Sequence, residues 1–464
     1  MIKNNTSQLS MLSLPQKLKD LVLKWREGGY KDATEKTKRL LGFWFNETHE
    51  LIDGTEFEYR NAQREAIEAL IYCHEILKVS NLYELNRALG EPLPAVPSGY
   101  IWPKYAFKMA TGSGKTMVMA MAVVWAYFNG CTKNFLLIAP NLIVLDRLGT
   151  DFIDGKIFRK YPLIPSEWRG DFQLDVIGAD EPPTPKKPAV LFLTNIQKLY
   201  ERNEKEPINP LQKILGPKPP DEIKISVERR RDSLAKLESL MVINDEAHHV
   251  HDENLEWNKT IDWLNSQNEL FAQLDFSATP RFQTGGLFPH VITDYPLNEA
   301  VLDKIVKRPK IAELENVPPI ESENAVEKYK VNIEAGINQW KKIYNNYKKA
   351  GKKAVLFIMA QSTKEADKVA EHLNTFPDLR DKVLTIHTDN TGEISRKDVD
   401  KARVWAKEID SDENPYRAIV SVLMLREGWD VRNVVVVVPL RPLTAKANIL
   451  PEQTLGRGLR LMWP

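Results

Sequence analysis

The chain has 464 residues, 43% of them hydrophobic and 27% charged, with a formal net charge of +1. That length exceeds one ordinary domain and allows two or three full cores, and the composition excludes a disordered or fibrous chain. Two cysteines, Cys73 and Cys131, give neither a disulfide framework nor metal-ligand spacing, and no apolar run is long enough to span a bilayer, so a cytoplasmic protein with no membrane partner is expected.

In chain order, Ser13–Trp25 reads as an amphipathic helix with Leu14, Leu18, Leu21, Val22 and Trp25 on one stripe, ended by Gly28-Gly29. A second helix is expected from Asp32, with Glu35 completing a capping box. The two helices form a small element over residues 1–50, read as packing against the first large domain.

The apolar, aromatic-rich Ile101–Met109 then runs into Ala110-Thr111-Gly112-Ser113-Gly114-Lys115-Thr116. Gly112 and Gly114 let the backbone take positive φ and turn amides onto an anion. The loop opens a helix, whose N-terminus favours phosphate. Lys115 is placed to reach the β/γ-phosphates, and the Thr116 hydroxyl to hold Mg²⁺. Met117–Phe128 is almost unbroken apolar sequence, as a helix buried under a sheet should be. Met109 stands where such loops usually carry Gly or Ala.

Two insertions are expected, near residues 81–98 and 200–237. The second contains Arg229-Arg230-Arg231, which reads either as a nucleic-acid contact or, more plainly, as a solvated helix. Leu240–Ile243 is a short apolar strand ending in Asn244-Asp245-Glu246-Ala247-His248-His249. A carboxylate at the end of a parallel strand points into the crevice where ligands bind. Asp245 is placed to hold Mg²⁺ and Glu246 to polarise an attacking water, the pair that phosphoryl transfer needs. The histidines are too closely spaced, and lack cysteine partners, for a zinc site. His248 is instead read as coupling this loop to its neighbours. Leu274–Phe276 is a further short strand, followed by Ser277-Ala278-Thr279-Pro280, whose hydroxyls can exchange hydrogen bonds with the Asp245–His248 loop.

Beyond a Pro-rich linker near Val317-Pro318-Pro319, an amphipathic helix carries Ile333, Ile337, Trp340, Tyr344 and Tyr347. Strands are expected at Ala354–Met359, Ala418–Val422 and Val434–Val438, the last buried on both faces. Alternation of strands and helices argues a parallel α/β sheet in each domain. Arg457 and Arg460, three apart on one helix face, are candidate arginine fingers over a γ-phosphate.

The set ATGSGKT, DEAHH, SATP, REGWD and QTLGRGLR resembles the motifs of superfamily 2 helicases and translocases, and among these the motor subunit of type III restriction enzymes. The resemblance covers the chain from about Phe57 to Arg460. It implies two RecA-like parallel-sheet domains, residues 51–310 and 311–464, with a nucleotide cleft between them. The second would be incomplete, because the chain stops four residues after Arg460. It implies that Gln63 reads the adenine edge and Phe57 stacks on the base. Gly428, Asp430 and Gln453 join Thr111, Gly112, Ser113, Gly114, Lys115 and Thr116 as nucleotide contacts. Pro140, Asn141, Thr194, Gln361 and Thr388 fall at positions that touch the nucleic-acid backbone.

The resemblance therefore implies ATP and Mg²⁺ as cofactors and double-stranded DNA as the track. Further expected partners are a methyltransferase or specificity subunit, or a C-terminal nuclease domain beyond residue 464. No endonuclease activity is expected from residues 1–464. An RNA-dependent ATPase, and a nucleic-acid sensor that uses ATP as a conformational switch, are the competing readings.

Overall fold

The computed structural model describes residues 12–93, 101–199, 222–249, 256–282, 285–310, 312, 320–386, 408–411, 413–422, 431–440 and 459. The chain forms two compact units, one of residues up to 109 with 114–295, the other of 110–113 with 296 onward.

The first unit opens with α1 (Ser13–Glu27), which buries Leu14, Leu18, Val22 and Trp25. The second helix, α2 (Glu35–Asn46), starts later than expected. Thr34 is its N-cap and accepts the Thr37 N–H at 3.1 Å, while Asp32 sits in the left-handed region at φ 65° and cannot begin a helix. A two-stranded ribbon, β1 (His49–Glu50) and β2 (Glu56–Phe57), leads to α3 (Asn61–Ile71) and α4 (Leu82–Ala88).

The fully buried Glu68 of α3 accepts from Arg26 of α1, from the Tyr30 hydroxyl at 2.6 Å and from Arg64 at 2.9 Å. Burial, with Glu68 beside it, pushes the Tyr30 hydroxyl up to about 12. Lys36 of α2 donates to the carbonyl of Phe128 at 2.7 Å. The N-terminal helices are thus bolted to the helix that carries Gln63 and to the one that leaves the phosphate loop.

Next come β3 (Lys104–Met109), α5 (Lys115–Phe128), β4 (Asn134–Ala139), α6 (Leu142–Phe152), α7 (Lys156–Lys160), β5 (Leu174–Ile177) and β6 (Ala189–Asn195). After them stand α8 (Glu222–Ala235), β7 (Ser239–Asp245), α9 (Glu256–Gln267), β8 (Glu269–Ser277) and β9 (Val291–Tyr295). Among the described residues, seven strands make one parallel sheet in the order β5-β6-β4-β7-β8-β3-β9. Helix α5 is buried along nearly its whole length, as its apolar sequence requires. On one face of the sheet, Leu136, Ile138, Phe192, Leu240 and Val242 pack with Trp257, Ile261 and Leu264 of α9.

Strand β8 is nine residues long rather than three, because polar Gln273 lies buried inside the sheet instead of ending it. At two of its three positions the triple arginine is not a solvated face. Arg230 is 2% exposed and donates to the carbonyls of Gly178, Ala179 and Glu181. Arg231 donates to the Leu199 carbonyl and stacks 4.0 Å over the Trp263 ring.

The second unit contains α10 (Leu297–Leu302), α11 (Ala325–Lys328), α12 (Lys330–Lys349), β10 (Val355–Ala360), α13 (Thr363–Asn374), β11 (Val383–Ile386), β12 (Ala418–Val422) and β13 (Val434–Pro439). Its strands are parallel in the order β11-β12-β10-β13. Helix α12 presents Ile333, Ile337 and Trp340 to the core, with Leu356, Ile358 and Val438 among their neighbours. The five valines are only partly covered. Val434 and Val438 are buried, whereas Val435, Val436 and Val437 are half-exposed because β13 is the last strand on that side among the described residues. The linker near Val317 lies outside the described residues.

Candidate active site

In a parallel sheet all strand ends face one way, so sheet order decides which sequence motifs become neighbours. Here the C-terminal ends of β4, β7, β8 and β3 stand side by side. Register aligns Ile138 with Asn244, Asp245 with Phe276, and Ser277 with Lys108. Pro140–Asn141, Asp245–His248, Ser277–Thr279 and the start of the phosphate loop therefore share one edge.

The loop has the backbone that its glycines permit, with φ 85° at Gly112 and 95° at Gly114. Ser113 is buried and its hydroxyl donates to the Ala110 carbonyl at 2.7 Å. Gly114 is the N-cap of α5 and brings no side chain to it, the arrangement that an anion completes. Thr111 and Thr116 are half-buried.

Gln63 is the third residue of α3, and its side-chain oxygen accepts the Arg60 N–H at 2.9 Å. Its amide nitrogen lies where a Cβ on Gly114 would come within 2.1 Å. Gly114 is thus restricted twice, by its φ and by Gln63. Phe57 is half-buried between Tyr59, edge-on at 4.9 Å, and Tyr161 at 5.3 Å.

Asp245 is fully buried at the end of β7. One carboxylate oxygen accepts the Glu246 N–H at 3.0 Å, and the other binds the guanidinium of Arg147 from α6. Burial pushes the Asp245 carboxyl up, while Arg147 and then Lys115 pull it back, with Glu246 opposing them. Glu246 holds φ 50°, a left-handed conformation that a non-glycine residue adopts at a cost of about 1–3 kcal/mol. In that conformation its carboxylate stands 3.7 Å from the Lys115 ammonium and 3.7 Å from His248. Two carboxylates and two cations share the edge.

His248 Nδ1 is 3.1 Å from the Ser277 hydroxyl oxygen, which also accepts the Thr279 N–H at 3.0 Å. Adjacent strands are braced from the other face as well. Asn244 donates to Asp275 at 2.7 Å, His290 meets Asp275 at 2.9 Å, and Trp257 donates to Asn244 at 3.2 Å. The residue before Asp245 is therefore held by a buried polar network that fixes the strand end.

The positions expected to touch nucleic acid are placed unevenly. Thr194 is buried with its hydroxyl on the Asn195 carbonyl, so in this structure it is not accessible to a ligand; Gln197 and Lys198 are the more accessible polar groups there. Pro140 is also buried, and the Asn141 side chain caps α6 by accepting the Val144 N–H. Gln361 is exposed but donates to the Tyr329 hydroxyl at 2.6 Å and the Leu440 carbonyl at 3.0 Å. Thr388, Gly428, Asp430, Gln453, Arg457 and Arg460 lie outside the described residues.

Sequence reasoning missed Arg147. The signal was a charged pair, Asp146-Arg147, inside an apolar helix that directly succeeds a strand end.

The donor set fits Mg²⁺ as a partner of a phosphate ligand. A buried carboxylate and a hydroxyl supply hard oxygens, and Mg²⁺ characteristically takes one or two carboxylates plus phosphate and water. Among the described residues no group of three or more His, Cys, Asp or Glu side chains could hold a metal by itself. No helix among them is long and apolar enough to cross a membrane.

Residues 56–282 match the family model described as type III restriction enzyme, res subunit. No curated protein matches the chain. Among solved structures, the helicase Lhr of Mycobacterium smegmatis, bound to single-stranded DNA and AMP-PNP, is 15% identical with a TM-score of 0.45, covering 86% of this chain and 46% of that one. Dbp5 of S. cerevisiae, bound to RNA and ADP BeF3, is 17% identical with a TM-score of 0.40, covering 86% of this chain and 84% of that one. The ATP-dependent type ISP restriction-modification enzyme LlaBIII, bound to DNA, is 14% identical with a TM-score of 0.47, covering 87% of this chain and 27% of that one. The chain thus spans less than half the length of Lhr and of LlaBIII.

Proposed function

We propose that the chain, whose residues 56–282 match the family model described as type III restriction enzyme, res subunit, is an ATP-driven motor of the superfamily 2 helicase type on nucleic acid, with double-stranded DNA as its track. The observation that carries the reading is the Lys115–Glu246–Asp245 grouping at one sheet edge, beside a glycine-built loop that opens a buried helix.

Each residue then has a task. Backbone amides of 112–116 and the Lys115 ammonium bind phosphate charge. Gln63 holds the base edge, with Phe57 stacked against it. Thr116 and Asp245 hold Mg²⁺, which neutralises phosphate charge when bound. Glu246 orients the attacking water and accepts its proton. Arg457 and Arg460 act as arginine fingers, with Gly428, Asp430 and Gln453 as further nucleotide contacts. His248, Ser277 and Thr279 transmit the state of the Asp245–Glu246 turn to the neighbouring strand end, and Asn141 and Gln361 belong to loops that grip the nucleic-acid backbone.

The test is steady-state ATP turnover with Mg²⁺ and, in turn, duplex DNA, single-stranded DNA and RNA. Duplex DNA is expected to stimulate most. Strongest stimulation by RNA would reassign the track. ATP binding without turnover on any of the three would make the protein a switch rather than a motor.

A further inference from the structure

Asp245 has to satisfy two conditions that conflict. It must be ionised and fixed to meet a metal, yet it is fully buried, where an ionised carboxylate without a counter-charge is strongly disfavoured. The chain resolves this from within. Arg147 reaches from α6 to one carboxylate oxygen, and the Glu246 N–H engages the other. The Arg147 side chain as a whole retains 24% exposure, while its Nε is buried.

We propose that Arg147 is a resident counter-ion of Asp245 that competes with Mg²⁺ for that carboxylate, making α6 a latch on nucleotide loading. The inference rests on the reading of Asp245 as the metal-holding carboxylate. It goes beyond that reading by giving the site two charge states. In the first, Arg147 neutralises Asp245 and Lys115 faces Glu246, so the edge is balanced without ligand. In the second, a dication shares the carboxylate, and its repulsion of the guanidinium weakens or breaks the Arg147 contact. Helix α6 begins directly after Pro140–Asn141, so a pull on that loop is felt at Arg147 within the same helix. Release of Arg147 is thus the step through which a ligand at the start of α6 would promote metal loading.

The test is the Mg²⁺ dependence of fluorescent ADP binding, with thermal melting in EDTA and in Mg²⁺–ADP, for the parent, Arg147→Ala and Arg147→Gln. Both variants should lower the half-saturating Mg²⁺ concentration by about tenfold, a size suited to losing one competing charge near the surface. Both should melt lower than the parent in EDTA and gain more from Mg²⁺–ADP than the parent does. Arg147→Gln keeps a hydrogen-bonding group without the charge, so it carries the test if Arg147→Ala does not fold. A half-saturating Mg²⁺ concentration that is unchanged or higher in the variants would overturn the latch while leaving the nucleotide site intact. A parent that binds no ADP at any Mg²⁺ concentration would overturn the site reading and the latch together.

Discussion

Gln63 is packed onto Gly114 so closely that a Cβ on the glycine would lie 2.1 Å from the glutamine amide nitrogen. A helix-capping side chain and the phosphate loop are therefore one mechanical unit. Gly114→Ala should weaken ATP binding by on the order of 10- to 100-fold, since both a left-handed φ and a clash must be relieved. Gln63→Ala removes the clash but not the φ strain, and it also removes a base contact, so the comparison is made within its own background: Gly114→Ala should cost less there than in the parent, but not nothing. Fluorescent nucleotide titration of the four proteins checks this. No cost of Gly114→Ala in the Gln63→Ala background would show that the backbone strain costs nothing.

Lys115 and Glu246 stand 3.7 Å apart and are expected to fail in different ways. Lys115→Ala should abolish hydrolysis by removing phosphate charge, with little change in melting temperature. Glu246→Gln should keep nucleotide binding and lower turnover by roughly 10²–10⁴. Binding isotherms beside turnover rates separate the two, and a Gln variant at the parental rate would remove Glu246 from the chemistry.

In the second unit, Gly336 of α12 lies against β13, where a Cβ would come 2.3 Å from Val438. Alanine is the better helix former by about 1 kcal/mol. Overpacking of about 1–3 kcal/mol outweighs that gain. Gly336→Ala should therefore lower stability in thermal melting, and a stabilised variant would mean that the helix simply shifts away.

Lys104 is 3% exposed, and burial pushes its ammonium down to about 8 against the pull of Asp275 and Asp262. The folded state then releases this proton before the unfolded state does, so between about pH 8 and 10.5 the unfolded chain binds more protons. Stability should rise with pH across that window, by about 2 kcal/mol between pH 7.5 and 9.5 from this group alone. Lys307, also pushed down to about 8, acts in the same direction and is unchanged in the test variant. Denaturant titrations of Lys104→Met should show a correspondingly shallower rise, and equal slopes in the two proteins would contradict the assignment.

The parts of the fold written in periodicity and turn chemistry were legible in the chain. Helix α1, the phosphate loop with its buried helix, and strands β7 and β12 can be read from local sequence alone. Strand β8 extends past its legible stretch because Gln273 resembles a loop residue until Trp102 is seen to donate to it. Arg230 and Arg231 read as surface charge for the same reason: their acceptors are carbonyls far away in the chain. Arg147 was invisible because its partner is 98 residues distant and meets it only through the order of strands in the sheet. Local chemistry is written locally, whereas the counter-charges that let it be buried are written in the topology.

Whether the protein is a motor on duplex DNA is decided by ATP turnover per protein at saturating ATP and Mg²⁺, on linear duplexes of increasing length at constant total base pairs. A motor that advances along duplex DNA should turn over faster as the track lengthens, until travel rather than rebinding sets the rate. Glu246→Gln should be flat and near zero throughout. Turnover by the parent that is independent of duplex length, or unchanged when DNA is omitted, would rule out a motor that travels on duplex DNA.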